Sequence, residues 1–203
     1  MNKKKKIIIT IIASAIALCI IVVAAPFAVS LLFGSQDTTN LTGNTDVSLF
    51  PADYDEDIFA DKSYMKKQRD VFFFYDGEGE HITDENYTTF GLSGQLFYKY
   101  FKCVINGEYE QYPSFFSESF LKTAILPEKF TQQKLYDISA TLEARTIEED
   151  GYTELYSVRY RIMDNNGTFR SDLENDTVIP VFYTVRVTKE KAEITAISVP
   201  IYK

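Results

Sequence analysis

The chain has no tryptophan, one histidine and two cysteines in 203 residues. That excludes a zinc site built from several Cys and His ligands, and a disulfide framework of the kind that staples small secreted domains. Nine glycines and six prolines are too few for a collagen-like or low-complexity chain. Basic residues are in deficit, 21 against 29 acidic ones. They form no cluster beyond the first six residues, and a phosphate backbone is bound by Lys and Arg displacing its counterions, so nucleic acid is not an expected partner. A glycine-rich phosphate loop and a nucleophile elbow are also missing. What is present is the composition of a folding chain, 45% hydrophobic and 25% charged, with 14 tyrosines and 16 phenylalanines. The length suits one ordinary domain plus an appendage.

The appendage is read at the amino terminus. Lys3, Lys4, Lys5 and Lys6 precede an uncharged apolar stretch from Ile7 to Phe33. As a helix this stretch would span roughly 40 Å, more than the roughly 30 Å hydrocarbon core of a bilayer. The first basic residue after it is Lys62, preceded by seven acids from Asp37 to Asp61. By the distribution of positive charge, residues 1–6 are expected to be cytoplasmic, 7–33 a single transmembrane helix and the remainder extracellular, in a bacterial cell membrane. A cleaved secretory signal is the competing reading, with Ala28-Val29-Ser30 as its cleavage site. Residues 34–50 are polar, rich in Gly, Thr and Asn, and read as a flexible linker. Residues 51–203 are expected to form an extracytoplasmic α+β domain.

Within that domain, Val71-Phe72-Phe73-Phe74-Tyr75 before Asp76-Gly77 predicts a short strand and a turn. Thr83, followed by Asp84 and Glu85, predicts a helix start. Tyr87, Phe90, Gly94, Phe97, Phe101, Val104 and Ile105 then recur at helical spacing until Gly107. A second helical piece is expected from Glu108 towards Lys122, broken near Pro113. After Pro127 the period becomes alternating: Tyr136 to Ala144, Tyr156 to Ile162, Ile179 to Val187, and Ala192 to Val199. Asn165-Asn166-Gly167 predicts a tight hairpin, and the whole an antiparallel meander with helices across its concave face.

The run Leu96-Phe97-Tyr98-Lys99-Tyr100-Phe101-Lys102-Cys103-Val104-Ile105-Asn106-Gly107-Glu108-Tyr109-Glu110-Gln111-Tyr112, followed by Phe115-Phe116-Ser117, resembles the helical part of nuclear transport factor 2-like domains. The resemblance covers roughly residues 55 to 200. It implies helices packed on a cone-shaped antiparallel sheet, with a pocket that Tyr87, Tyr98, Tyr156 and Tyr160 would line. The family mixes enzymes with adaptors and secretion-channel subunits, so fold does not fix activity.

Two functions follow as expectations. One is a membrane-anchored, non-catalytic binding or scaffold domain that docks a cell-envelope protein or another copy of itself, for example as a conjugation-channel assembly subunit. The other is a small-ligand sensor or enzyme using the cone cavity. His81 would be its only candidate base, because imidazole titrates near neutral pH and Asp84 or Glu85 could orient it. The stronger reading of His81 is a solvated loop residue, of Cys103 a buried or boundary thiol, and of Asp137 a side chain pointing to solvent. The acidic run Asp53 to Asp57 lacks the spacing and glycine of a calcium loop. No catalytic residue, cofactor or metal ligand is assigned.

Overall fold

The computed structural model describes residues 57–199. Segments 1–6, 7–33 and 34–50, with the cytoplasmic, membrane-spanning and linker roles expected of them, lie outside the described residues. Among the described residues no helix is long and apolar enough to cross a membrane. The single-pass anchor, the membrane as partner and the cell-membrane location accordingly find no support in the structure, and function has to rest on the described domain.

Strands Val71–Tyr75 (β1) and Glu78–Ile82 (β2) form a hairpin. Asp76 and Gly77 turn it at φ 52° and 90°, the positive values that a two-residue hairpin turn needs. Val71, Phe73 and Ile82 are buried, whereas Phe72 and Phe74 lie on the opposite face. Their rings cover Gly79, where a Cβ would meet Phe72 Cζ at 2.5 Å.

The long helix is Leu92–Asn106 (α1), which begins nine residues after Thr83, the start that the capping pattern predicts. Thr83 does not cap it. Its hydroxyl accepts from the Glu85 N–H while Asn86 Oδ1 accepts from the Thr83 N–H at 2.7 Å, so these side chains close a local turn instead. A 3-10 turn at Tyr87–Thr89 and an extended Phe90 separate that turn from α1. The far end is where Gly107 places it. With φ at 72°, the Gly107 N–H donates to the Val104 carbonyl and the Glu108 N–H to that of Cys103, which satisfies carbonyls that the helix leaves free. Pro113 falls in a 3-10 turn, Tyr112–Phe115, and only one turn of helix follows, Glu118–Leu121 (α2).

Strands Leu135–Glu148 (β3), Gly151–Ile162 (β4), Val181–Thr188 (β5) and Ala192–Ser198 (β6) complete a six-stranded sheet of order β2-β1-β3-β4-β5-β6. Its pairs are antiparallel except β1 with β3, which run parallel with Phe72 opposite Ser139 and Phe74 opposite Thr141. The sheet is thus mixed and open, with β2 and β6 at its edges. This overturns the nuclear transport factor 2-like cone, while β3 to β6 do run as the expected antiparallel meander; what stands is an α+β fold with two helices on an open, mixed sheet. Register shifts in β3 after Tyr136 and after Leu142 explain why Ala144 is exposed instead of facing the core.

Asn165-Asn166-Gly167 does not make a tight hairpin either. The connection between β4 and β5 runs from Met163 to Pro180, and the Asn165 side chain holds it, donating to the carbonyls of Arg170 and Leu173 at 2.7 Å each. With those carbonyls satisfied, the loop can bury Phe169 and Leu173.

The core lies between α1 and one sheet face. Phe97, fully buried, packs its ring 4.9 Å from that of Tyr156 and 6.0 Å from that of Tyr183. Two buried charges brace it. The Glu154 carboxylate receives the Ser93 and Tyr156 hydroxyls and, at 3.0 Å, Arg145 Nε, which ties the start of α1 to β3 and β4. Lys134 bridges Asp61 at 3.1 Å and Asp164 at 3.2 Å.

Candidate functional site: a groove along the first helix

The solvent flank of α1 carries Tyr98, Lys99, Lys102 and Asn106, spaced so that they share one side of the helix. Opposite stands the segment Lys67 to Asp70 that leads into β1, with Phe59 beside it. Glu108 to Phe115 closes one end. Together these bound a groove of about 700 Å³.

Its charges are not typical of the chain. Lys67, Arg69, Lys99 and Lys102 line it, against the carboxylates of Asp70, Asp84 and Glu108, in a protein of net charge −8. Asp84 is occupied by its neighbours: Lys102 Nζ lies 3.1 Å away and the Tyr98 hydroxyl donates to it. The Tyr98 hydrogen bond, with Lys102, holds the Asp84 carboxyl below its usual range. Burial, and then Asp84, pushes the Tyr98 phenol up. Lys67 sits 4.5 Å from the centre of the Tyr136 ring. Arg69 lies over the Tyr64 ring at 5.6 Å, and its Nε is shut off from solvent with no hydrogen-bond acceptor among the described residues. Lys99 is exposed on the helix flank. Cys103 also reaches the groove wall. Burial and the nearby Glu108 push its thiol up to about 12, and it donates to the Glu108 carbonyl at 3.2 Å, both of which disfavour the thiolate.

The four tyrosines expected around one cavity are dispersed. Tyr87 and Tyr98 do meet, stacked with ring centres 4.6 Å apart beside the groove. Tyr156 is sealed in the core between Phe73 and Phe97. Tyr160 belongs to a different cavity, beneath α1. His81 is on β2, with its ring edge against Phe72 at 5.2 Å on the face opposite the core. Asp84 is turned to Tyr98 and Lys102, so the His–acid pair does not form. The cone-cavity enzyme or sensor with His81 as base is thereby overturned, since there is neither a cone nor a paired imidazole. Asp137 is exposed and lies 3.6 Å from Arg161.

The sequence reading missed Arg69 and Lys67, because four lysines and arginines from Lys62 to Arg69 look like an ordinary solvated face. The available signal was their position immediately before a buried strand, which fixes where that face points. No family model, curated protein or solved structure matches the chain. The family resemblance, already at odds with the open sheet, has nothing further behind it, and the envelope-scaffold role drawn from it falls with the anchor.

Proposed function

We propose that this domain is a non-catalytic recognition module that takes an acidic, aromatic-bearing polypeptide segment in the groove along α1. The observation that carries the reading is the gathering of Lys67, Arg69, Lys99 and Lys102 on one groove of an acidic chain. Four cations along one groove favour a partner that brings carboxylates. Phe59, Tyr98 and Phe115 supply apolar surface between the cations.

Length supports a peptide over a small anion. The α1 residues that line the groove, Tyr98 to Asn106, rise about 12 Å at 1.5 Å each, which some four extended residues would match at about 3.3 Å each. The carboxylates of Asp70 and Glu108 in the walls, and the net charge, weigh against a polyphosphate strand.

The test is fluorescence anisotropy with a labelled peptide of alternating glutamate and phenylalanine. Binding is expected to weaken about tenfold on raising salt from low to high, and about tenfold again in Lys67→Glu/Lys99→Glu. A lysine-for-glutamate peptide should not bind. Equal affinity of the double variant and the parent would refute the groove.

A further inference from the structure

A second cavity, of about 380 Å³, opens between α1, β4, β5 and the loop around Ile125. Its volume is within the range that holds small molecules. Phe120, Leu126, Phe169, Val181 and Ile197 give it an apolar body, and Ile125 stands fully exposed at its mouth.

The polar lining has donors to spare. The hydroxyls of Tyr112, Tyr100 and Tyr183 form a chain centred on Tyr100, with both links 3.0 Å. Three hydroxyl protons serve two bonds, so one is unspent. Tyr160, only 2% exposed, accepts from Arg170 Nη1 at 2.7 Å. Its own proton has no acceptor among the described residues. Two buried O–H groups without acceptors, both lining an open cavity, are stabilised by a ligand that brings an oxygen to them.

The kind of oxygen follows from Arg170. Its Nε and Nη2 are engaged by both carboxylate oxygens of Asp172, at 2.5 and 2.6 Å. The guanidinium charge is balanced inside the wall, and an incoming carboxylate would face Asp172, which also lines the cavity. A neutral carbonyl meets no such repulsion. We infer that this cavity binds a small, mostly apolar molecule bearing a neutral carbonyl oxygen, to which Tyr160 and the Tyr100–Tyr112–Tyr183 chain donate. Burial holds the phenols of Tyr100, Tyr160 and Tyr183 above their ordinary range, so they remain donors through neutral pH and beyond.

The experiment titrates the naphthyl ketone Prodan, whose emission reports hydrogen bonding and polarity, against the full chain. Saturable binding with shifted emission is expected, weakened about tenfold in Tyr160→Phe, which keeps the ring and loses the donor. Naphthoate should compete poorly with the parent and about tenfold better with Asp172→Asn. Circular dichroism establishes that each variant is folded; if Tyr160→Phe is not, Tyr183→Phe serves in its place. No saturable binding by the parent, undiminished binding by a folded Tyr→Phe variant, or equal competition by naphthoate before and after Asp172→Asn would each overturn the inference.

Discussion

Glu154 is the residue on which the start of α1 depends. It is wholly buried, and Arg145, held between the rings of Tyr75 at 4.7 Å and Tyr152 at 5.3 Å, is its counter-charge. Replacing Arg145 by Met leaves an uncompensated carboxylate among the Ser93 and Tyr156 hydroxyls, and about 3 kcal/mol of stability should be lost in urea unfolding. At Asp61 the sign of the pH dependence can be worked out. Hydrogen bonds from Ser63, with Lys134, hold its carboxyl well below the usual range. A depressed carboxyl stabilises the fold above its unfolded value of about 3.9 and loses that contribution as pH falls further. The urea midpoint should accordingly drop on acidification below about pH 4, and Asp61→Asn should flatten that limb.

At the level of elements, the end of α1 was legible and its start was not. Gly107 stops the helix by a left-handed conformation that few other residues adopt, and a Cβ there would also meet the Gln132 nitrogen at 2.5 Å. Gly107→Ala is expected to cost more than the about 1 kcal/mol due to conformation alone. Gly107→Asn, which tolerates the conformation, should not rescue it, as thermal melts of both variants would reveal. The start was hidden because Tyr87 and Phe90 happen to continue the helical spacing, while Asn86 and Thr83 spend their side chains on a turn. Alternation disclosed β4, β5 and β6 because each packs one face on α1. The parallel pairing of β1 with β3 was not disclosed, since it joins segments more than 60 residues apart and period-two patterning is blind to partner and direction. The groove was illegible for the same reason: its cations come from two segments that only the fold brings opposite each other. Arg170 and Asp172 were overlooked because the Asn-Gly before them resembled a two-residue hairpin.

Across the described domain, seven tyrosines stand among the thirty buried hydrophobic residues of the interior. Burial pushes up the phenols of Tyr64, Tyr100, Tyr112, Tyr156, Tyr160 and Tyr183. An acid whose folded value is raised contributes stability below its unfolded value, about 10 for Tyr, and withdraws it as pH rises through the folded one. Spectroscopic titration with alkali should therefore resolve two phases, exposed tyrosines ionising first and the buried set only with loss of the circular dichroism signal. A single phase near pH 10 with secondary structure intact would contradict this packing.

Because the sheet does not close, strand addition by another copy has two places to begin, and they differ. At β6 the approach is obstructed: Phe116 bridges to Ile194, and the Ser117 N–H takes the Ile194 carbonyl at 2.9 Å. At β2 the Asn86 side chain donates to the His81 carbonyl at 3.0 Å, and the side chains of the strand include Glu78 and Glu80. Two such margins brought together would set glutamate against glutamate, so fibril growth is opposed by charge at neutral pH and loses that guard in acid.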